Sequence, residues 1–540
     1  MKGMKSYLEK FKSHLLYSIA TIFITIITLK IIHYININSL TRQEIWNLTY
    51  FWRKGIKCPR PLPLFGNILS TTKGFYLYMY NCKEKYGKIF GFYLFRRPVV
   101  VISDPDILKD ILVKSFSKFT NHDTFVLKNR PLDQSLLDLR DQRWKDVRTV
   151  ITPTFSALKM KQMSPLINEC CDVLVTYLQK KREEDNDISI FSVFESFTTD
   201  GIAECAFGLQ VDAQNNPDNQ FVKHAKAIME ASVKSPVAML AGIFPPSAYL
   251  FNALDIGLIP AATRTFFRDV VVKAIDMRKQ SPNSERKDFL QLMMNAHNDD
   301  DIGSKVNKDT NDLHNLIEEH SDNPLSSTQK TQLTMDEIFA QALLFFAGGY
   351  DTTSLTLGFL AYSLATNPDI QDQLIKEVDE MTPTRDSVDY NAVAKMSLLD
   401  MVVCETLRLY PPAVVGERCC GETHTVRGLT IEKGSQIFYS MYNIHRDPSL
   451  WPEPEKFDPS RFSKQNRANR HPMAWIPFGA GPRNCIGMRF ALMEIKMATV
   501  RILQKFRFVP SANTVIPVKF GTGENLKPDG GMFLGIEERV

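Results

Sequence analysis

One cysteine stands in a setting built for chemistry. In Phe478-Gly479-Ala480-Gly481-Pro482-Arg483-Asn484-Cys485-Ile486-Gly487, three glycines and a proline crowd a single thiol. An amphipathic run follows, with Phe490, Met493, Met497 and Val500 at spacings of three and four, so the thiol sits where a tight loop enters a helix. Glycines allow backbone conformations that aim N–H groups at the sulfur, and a helix start adds partial positive charge. Both effects favour the thiolate, the form that nucleophilic and metal chemistry needs. No second Cys or His lies at zinc-site spacing, so this reads as a one-cysteine site open to either use.

Three further constellations carry chemistry. Trp144 and Arg148 lie one helical turn apart in Asp141–Thr149. They form either a surface cation–π pair or two donors aimed at one acidic ligand group. Gly348-Gly349-Tyr350-Asp351-Thr352-Thr353 interrupts a long apolar run with an acid and hydroxyls. Inside a core this suggests a widened turn beside a cavity; in lipid it would be a costly membrane span. Glu405 and Arg408 share a helix face among apolar neighbours, and Arg461 is a candidate third member if that pair is buried.

The elements that must position these residues are mostly helical. The run with the glycines begins at a capping box of Thr334 and Glu337 and stops at Asn367-Pro368. Helical spacing also covers Lys159–Lys181 and Ile188–Phe207. Phe90–Phe95 and Pro98–Ser103 read as strands around a turn at Arg96-Arg97, and Gln436–Tyr439 as another. The polar span 298–330 reads as an exposed loop with a short helix at Leu313–His320.

Composition limits the class. Of 540 residues, 44% are apolar and 23% charged, which is globular rather than disordered. A net charge of +5 is small for this length and gives no reason to expect a nucleic-acid partner. The nine cysteines are odd in number, include two adjacent pairs and sit mostly in apolar runs, so eight read as reduced structural thiols. Lys2, Lys5, Lys10 and Lys12 precede an apolar run from Leu15 to Leu29 with no small-residue cleavage site after it, which suggests a retained membrane anchor. The basic N-terminal flank leaves its orientation open. The prolines of Cys58–Gly66 suit a stiff hinge. The expected organisation is an anchor over 1–35, a linker and hinge over 36–66, and one large body over 67–540.

Together these motifs resemble the haem-thiolate monooxygenases, the cytochrome P-450 superfamily. The resemblance rests on Gly348–Thr353, Glu405-x-x-Arg408, Phe457–Phe462 with Arg461, and Phe478–Gly487, with Trp144-x-x-x-Arg148 as a fifth. Glu405–Pro411, His445-Arg446-Asp447-Pro448 and Pro477–Met493 look closest to the microsomal branch of the animal family 3 enzymes. The resemblance implies a mostly α fold with small β-sheets behind a transmembrane anchor helix, in the endoplasmic reticulum membrane with the body in the cytosol. It implies heme b, with Cys485 as the iron ligand and Phe478 over the thiolate face. Trp144, Arg148, Arg418 and Arg483 match positions that hold the haem propionates, and His122 stands where that branch often has an arginine. Glu405, Arg408 and Arg461 match a structural triad. Asp351 and Thr352 match the pair that delivers protons to bound oxygen, beside a kink at Gly348 and Gly349.

The implied partners are a lipophilic substrate and an NADPH–cytochrome P-450 reductase, with cytochrome b5 as a candidate. Thr124–Leu139, Phe346–Ala347, Ala413–Val415 and Thr522–Glu524 would line the substrate pocket. Lys145, Arg467, Arg470, Arg489 and Lys496 would form the reductase-docking patch. The rival readings are a peroxide-rearranging haem enzyme, a non-catalytic haem protein and a two-span membrane protein; an intact Asp351-Thr352 pair argues against the first.

Overall fold

A computed structural model describes residues 48–539 apart from 123–129, 217, 230–233, 281–287, 298–331, 385–386 and 524. The expected anchor and the polar span therefore lie outside the described residues. The chain divides into two compact units, Met1–Gly55 and Ile56–Val540. The second unit carries every chemical motif and is mostly helical. Its proline-rich start is tied into the body: Gly66 bridges Leu94, and the Asn67 side chain donates to the carbonyl of Arg60 at 3.2 Å.

The helices that matter for the site are α1 (Phe75–Tyr86), α2 (Asp141–Ile151), α3 (Ala157–Glu184), α4 (Ile190–Phe207), α5 (Met335–Ala365), α6 (Ser397–Leu409) and α7 (Met488–Lys505). The strands are β1 (Ile89–Leu94), β2 (Arg97–Ile102), β3 (Ile188–Ser189), β4 (Val415–Cys419), β5 (His424–Val426), β6 (Leu429–Ile431), β7 (Gln436–Ser440), β8 (Phe506–Pro510) and β9 (Phe533–Glu538). They form a four-stranded sheet in the order β1-β2-β7-β4, a three-stranded sheet β3-β9-β8 and a hairpin β5-β6. The predicted first hairpin is present, with Phe90 opposite Val101, but its turn is Phe95-Arg96 rather than Arg96-Arg97, because Arg97 already pairs with Leu94. β4 runs antiparallel to β7, with Arg418 opposite Ile437.

α5 is the spine. Its 31 residues run unbroken for about 46 Å, and most are buried. It starts with the predicted capping box, Thr334 accepting from the Glu337 N–H and Glu337 from the Thr334 N–H. Glu337 also binds Arg143 of α2, with Nε to Oε1 at 2.6 Å, which fixes α2 to the start of α5. The expected widened turn is absent, and the two central glycines serve different ends. A Cβ on Gly349 would stand 2.9 Å from Ile202 Cδ1, so that glycine lets α4 press against α5. A Cβ on Gly348 would meet nothing within 4 Å. The competing membrane-span reading of α5 fails: no helix among the described residues is long and apolar enough to cross a membrane.

The expected triad holds the opposite side of the core. Glu405 and Arg408 are completely buried and form a two-pronged pair at 2.7 and 2.8 Å. Arg408 also donates to the carbonyls of His445, Pro454 and Lys456, and Arg461 lies 3.4 Å from Glu405. Every carbonyl that Arg408 meets belongs to the chain leading into the cysteine loop. Removing one member of a buried pair strands the other charge. Glu405→Ala is expected to cost about 3–5 kcal/mol in denaturant unfolding, and Glu405→Gln less; equal, small losses would contradict a buried ion pair.

Candidate active site

The cysteine loop is shaped by its glycines. Gly479 and Gly481 have φ of 73° and 72°, a region costly for side-chain-bearing residues. A Cβ on Gly481 would lie 1.9 Å from the carbonyl oxygen of Leu112, so the backbone there must be bare. The loop closes on itself, the Cys485 N–H donating to the Phe478 carbonyl at 2.8 Å. Gly487 then precedes the first turn of α7.

Cys485 differs from the other cysteines. All nine are free, and Cys485 is the one exposed thiol among them, although protein atoms crowd around it. Exposure of a thiol in so crowded a setting is what a residue bordering internal space would show. Burial pushes the thiol up, while an N–H bond from Gly487 and the charge of Arg148 pull the other way. The net direction is upward, which corrects the expectation that loop and helix start alone would yield a thiolate. Desolvation outweighs the few dipoles present, so an anionic sulfur here calls for a bound cation.

Beside the sulfur the structure gathers the expected positive groups. Arg148 donates to Asn484 at 3.0 Å, and Arg483 stacks on Trp144 at 4.5 Å. Arg418 enters from β4, completely buried, with its one hydrogen bond to the carbonyl of Glu417 at 2.7 Å. Its Nε and Nη2, and the Nε of Arg483, find no hydrogen-bond partner among the described residues. Burial, with Arg418 and Arg148 nearby, pushes Arg483 down to about 9, and burial takes Arg148 to about 10. His122 is driven to about 2 by burial, Arg418 and Arg483, and is therefore neutral, 3.8 Å from Glu417. Donors without acceptors and crowded positive charge, next to a lone thiol, fit a metal-bearing ligand with carboxylates on one edge. Haem, with its two propionates, fits these residues.

The expected oxygen-side residues lie on α5. Thr352 is exposed although its neighbours Asp351 and Thr353 are buried, so its face of the helix also borders internal space. Its hydroxyl donates to the Gly348 carbonyl at 2.5 Å. Asp351 does not share that face. Its carboxylate forms an ion pair with Lys527 at 2.6 Å, a partner the sequence did not suggest. Gln341 was also missed. It binds the backbone of Leu136 and Gln134 at 2.8 and 2.9 Å, and Arg483 reaches the carbonyls of Leu137 and Leu139 in the same loop. One loop thus spans from α5 to the cysteine loop. A buried glutamine in an apolar helix was its only signal.

Part of the expected docking patch turns inward. Lys496 and Arg467 bind the two oxygens of Asp400 at 2.7 and 2.5 Å, with side chains 11% exposed. Arg470 lies against the rings of both Trp451 and Phe462, at 4.3 and 4.5 Å. These three cannot present free charge to a partner.

The geometry fits a haem-thiolate centre: an exposed cysteine in a crowded setting, a cationic edge suited to carboxylates, and a helix carrying an exposed hydroxyl. A family model described as Cytochrome P450 matches residues 56–534. The chain is 39% identical over 491 residues to cytochrome P450 3A12 of Canis lupus familiaris, covering 91% of this chain and 92% of that protein. It is 39% identical over 494 residues to cytochrome P450 3A9 of Rattus norvegicus, covering 91% and 92%. To cytochrome P450 3A14 of Cavia porcellus it is 37% identical over 501 residues, covering 93% and 94%. The chain belongs to the cytochrome P450 family and is a monooxygenase.

Asp138, near Arg483, gives a pH test. Burial and the neighbouring Asp133 push it from an ordinary 3.8 to about 6, with Arg140 and Arg483 opposing. The folded chain binds this proton more tightly, so Asp138 stabilises the fold below pH 3.8 and loses that contribution as the pH rises through about 6. In the haem-free protein, Asp138→Asn should flatten the fall of the unfolding midpoint over that window; an unchanged slope would contradict it.

Proposed function

We propose that this enzyme inserts one oxygen atom from O2 into a lipophilic substrate, a steroid, fatty acid or xenobiotic. Electrons come from NADPH through a flavoprotein reductase, with cytochrome b5 as a candidate second donor. The observation that carries the reading is the pairing of an open thiol at Cys485 with an open hydroxyl at Thr352, each within an otherwise closed core. Haem, when bound, supplies the O2 chemistry, and a thiolate ligand favours O–O cleavage.

The chain's own residues divide the remaining work. Cys485 ligates the iron, and Phe478 covers the thiolate face. Trp144, Arg148, Arg418 and Arg483 hold the propionates, which supply the acceptors that the buried guanidinium groups lack. Thr352 and Asp351 carry protons to the reacting oxygen without opening the site to bulk water. An apolar substrate suits the aromatic packing around Phe346, whose ring lies 4.8 Å from Phe267 and 6.1 Å from Phe221. Ala347 and Ala413–Val415 remain the proposed pocket walls, whereas Phe346, expected beside them, is fully buried; parts of Thr124–Leu139 and Thr522–Glu524 lie outside the described residues. The similarity to family 3 proteins supports an endoplasmic reticulum location, with residues 1–35 as anchor and the body in the cytosol.

Thr352→Ala tests the oxygenation. Haem content should be unchanged and NADPH still consumed, while product formed per NADPH falls by about tenfold or more. Unchanged coupling would remove Thr352 from proton delivery. Wild-type enzyme that consumes no lipophilic substrate with NADPH and reductase would overturn the reading as a whole.

A further inference from the structure

The chain entering the cysteine loop has no regular structure to satisfy its backbone. Trp475 and Ile476 belong to no helix or strand, yet both are buried. A buried N–H in irregular chain needs an acceptor from elsewhere. Ile476 finds it in a side chain: its N–H donates to Nε2 of His445 at 3.0 Å. The Ile476 carbonyl in turn accepts from the Gly479 N–H at 3.0 Å, and the neighbouring Phe478 carbonyl accepts from Cys485.

His445 is itself held from several sides. It closes the short helix Met441–His445, which Ser440 caps by accepting from the Asn443 N–H at 3.2 Å. The Asn443 side chain donates to the Met79 carbonyl of α1 at 3.1 Å, and Arg408 of α6 donates to the His445 carbonyl at 2.9 Å. The ring is completely buried. A backbone N–H only donates, so Nε2 accepts and the ring is neutral with its proton on Nδ1. Burial and the charges of Arg408, Arg446 and Arg470 favour the same form. Nδ1 finds no acceptor among the described residues. An apolar side chain would fill this space without stranding a donor, so the imidazole is there for the acceptor that it offers Ile476.

We propose that His445 is a positioning residue for the iron ligand: it passes the hold of the buried Glu405–Arg408 pair to the Ile476 peptide and so keeps the cysteine loop closed around the Cys485 sulfur. The path is continuous, from Glu405 to Arg408, to the His445 carbonyl, through its ring to Ile476, and on through Gly479 and Phe478 to Cys485. With Ile476 released, the loop opens, water reaches the sulfur and the thiolate takes up a proton; a thiol is not the form that binds metal. This rests on the reading of Cys485 as the ligand of haem iron.

The test compares three variants of the haem-loaded, full-length protein. In His445→Gln the side-chain oxygen can stand where Nε2 stands; His445→Asn is one carbon too short, and His445→Leu has no acceptor. Each is reduced under carbon monoxide and its thiolate-type Soret band is followed with time. His445→Asn and His445→Leu should lose the band about tenfold faster than wild type, and His445→Gln should restore the wild-type rate. Hydrogen exchange at the Ile476 amide should quicken by about tenfold in the same two variants and not in His445→Gln. A band that decays at the wild-type rate in all three variants, or unchanged exchange at Ile476 in His445→Asn, would overturn the inference. Equal acceleration in all three would also overturn it, since it marks a residue that only fills space. In each of these cases Cys485 stands as the ligand; a haem-loaded wild type without the band would instead remove that reading. Should His445→Leu not fold, the contrast between His445→Gln and His445→Asn decides.

Discussion

Guanidinium groups packed together inside a protein demand an anion. Arg148, Arg418 and Arg483 converge beside Cys485, and Arg483 and Arg148 are pushed down by burial, Arg483 also by its positive neighbours. Asp138, the acid set against Arg483, is itself pushed up to about 6. The fold tolerates the cluster with partial measures: carbonyls for Arg483, a stack on Trp144, and one backbone bond for Arg418. What these leave unmet is a need for acceptor oxygens, which the carboxylates of a haem would supply.

The remaining architecture keeps that cluster in register with α5. Arg143 and Glu337 pin α2 to the start of the helix, and Gln341 pins the loop that Arg483 also grips. On the other side, the Glu405–Arg408 pair organises the backbone running into the cysteine loop. Two buried ionic devices thus fix the two borders of the site. Between them Gly348 leaves open space while Gly349 admits α4. Local chain chemistry, not bulk burial, decides where the cavity opens.

Much of this was legible in the sequence because its signals are local. Glycines around Cys485, the capping box at Thr334, the helical spacing of Trp144 and Arg148, and the first hairpin each follow from neighbours a few residues apart. Arg418 carried no such signal, since it lies on a short strand and only the family resemblance singled it out. The different tasks of Gly348 and Gly349 depend on Ile202, far away in the chain. Lys527 looked like any charge in a glycine-rich turn until folding brought it to Asp351. The direction of the Cys485 thiol was misjudged because loop dipoles can be read from sequence, whereas desolvation cannot.

The most direct measurement is the reduced carbon-monoxide difference spectrum of purified wild type and Cys485→Ala. A thiolate-type Soret band in the wild type, lost in Cys485→Ala, is the predicted result. Haem-loaded wild type lacking that band, or Cys485→Ala retaining it, would contradict Cys485 as the iron ligand.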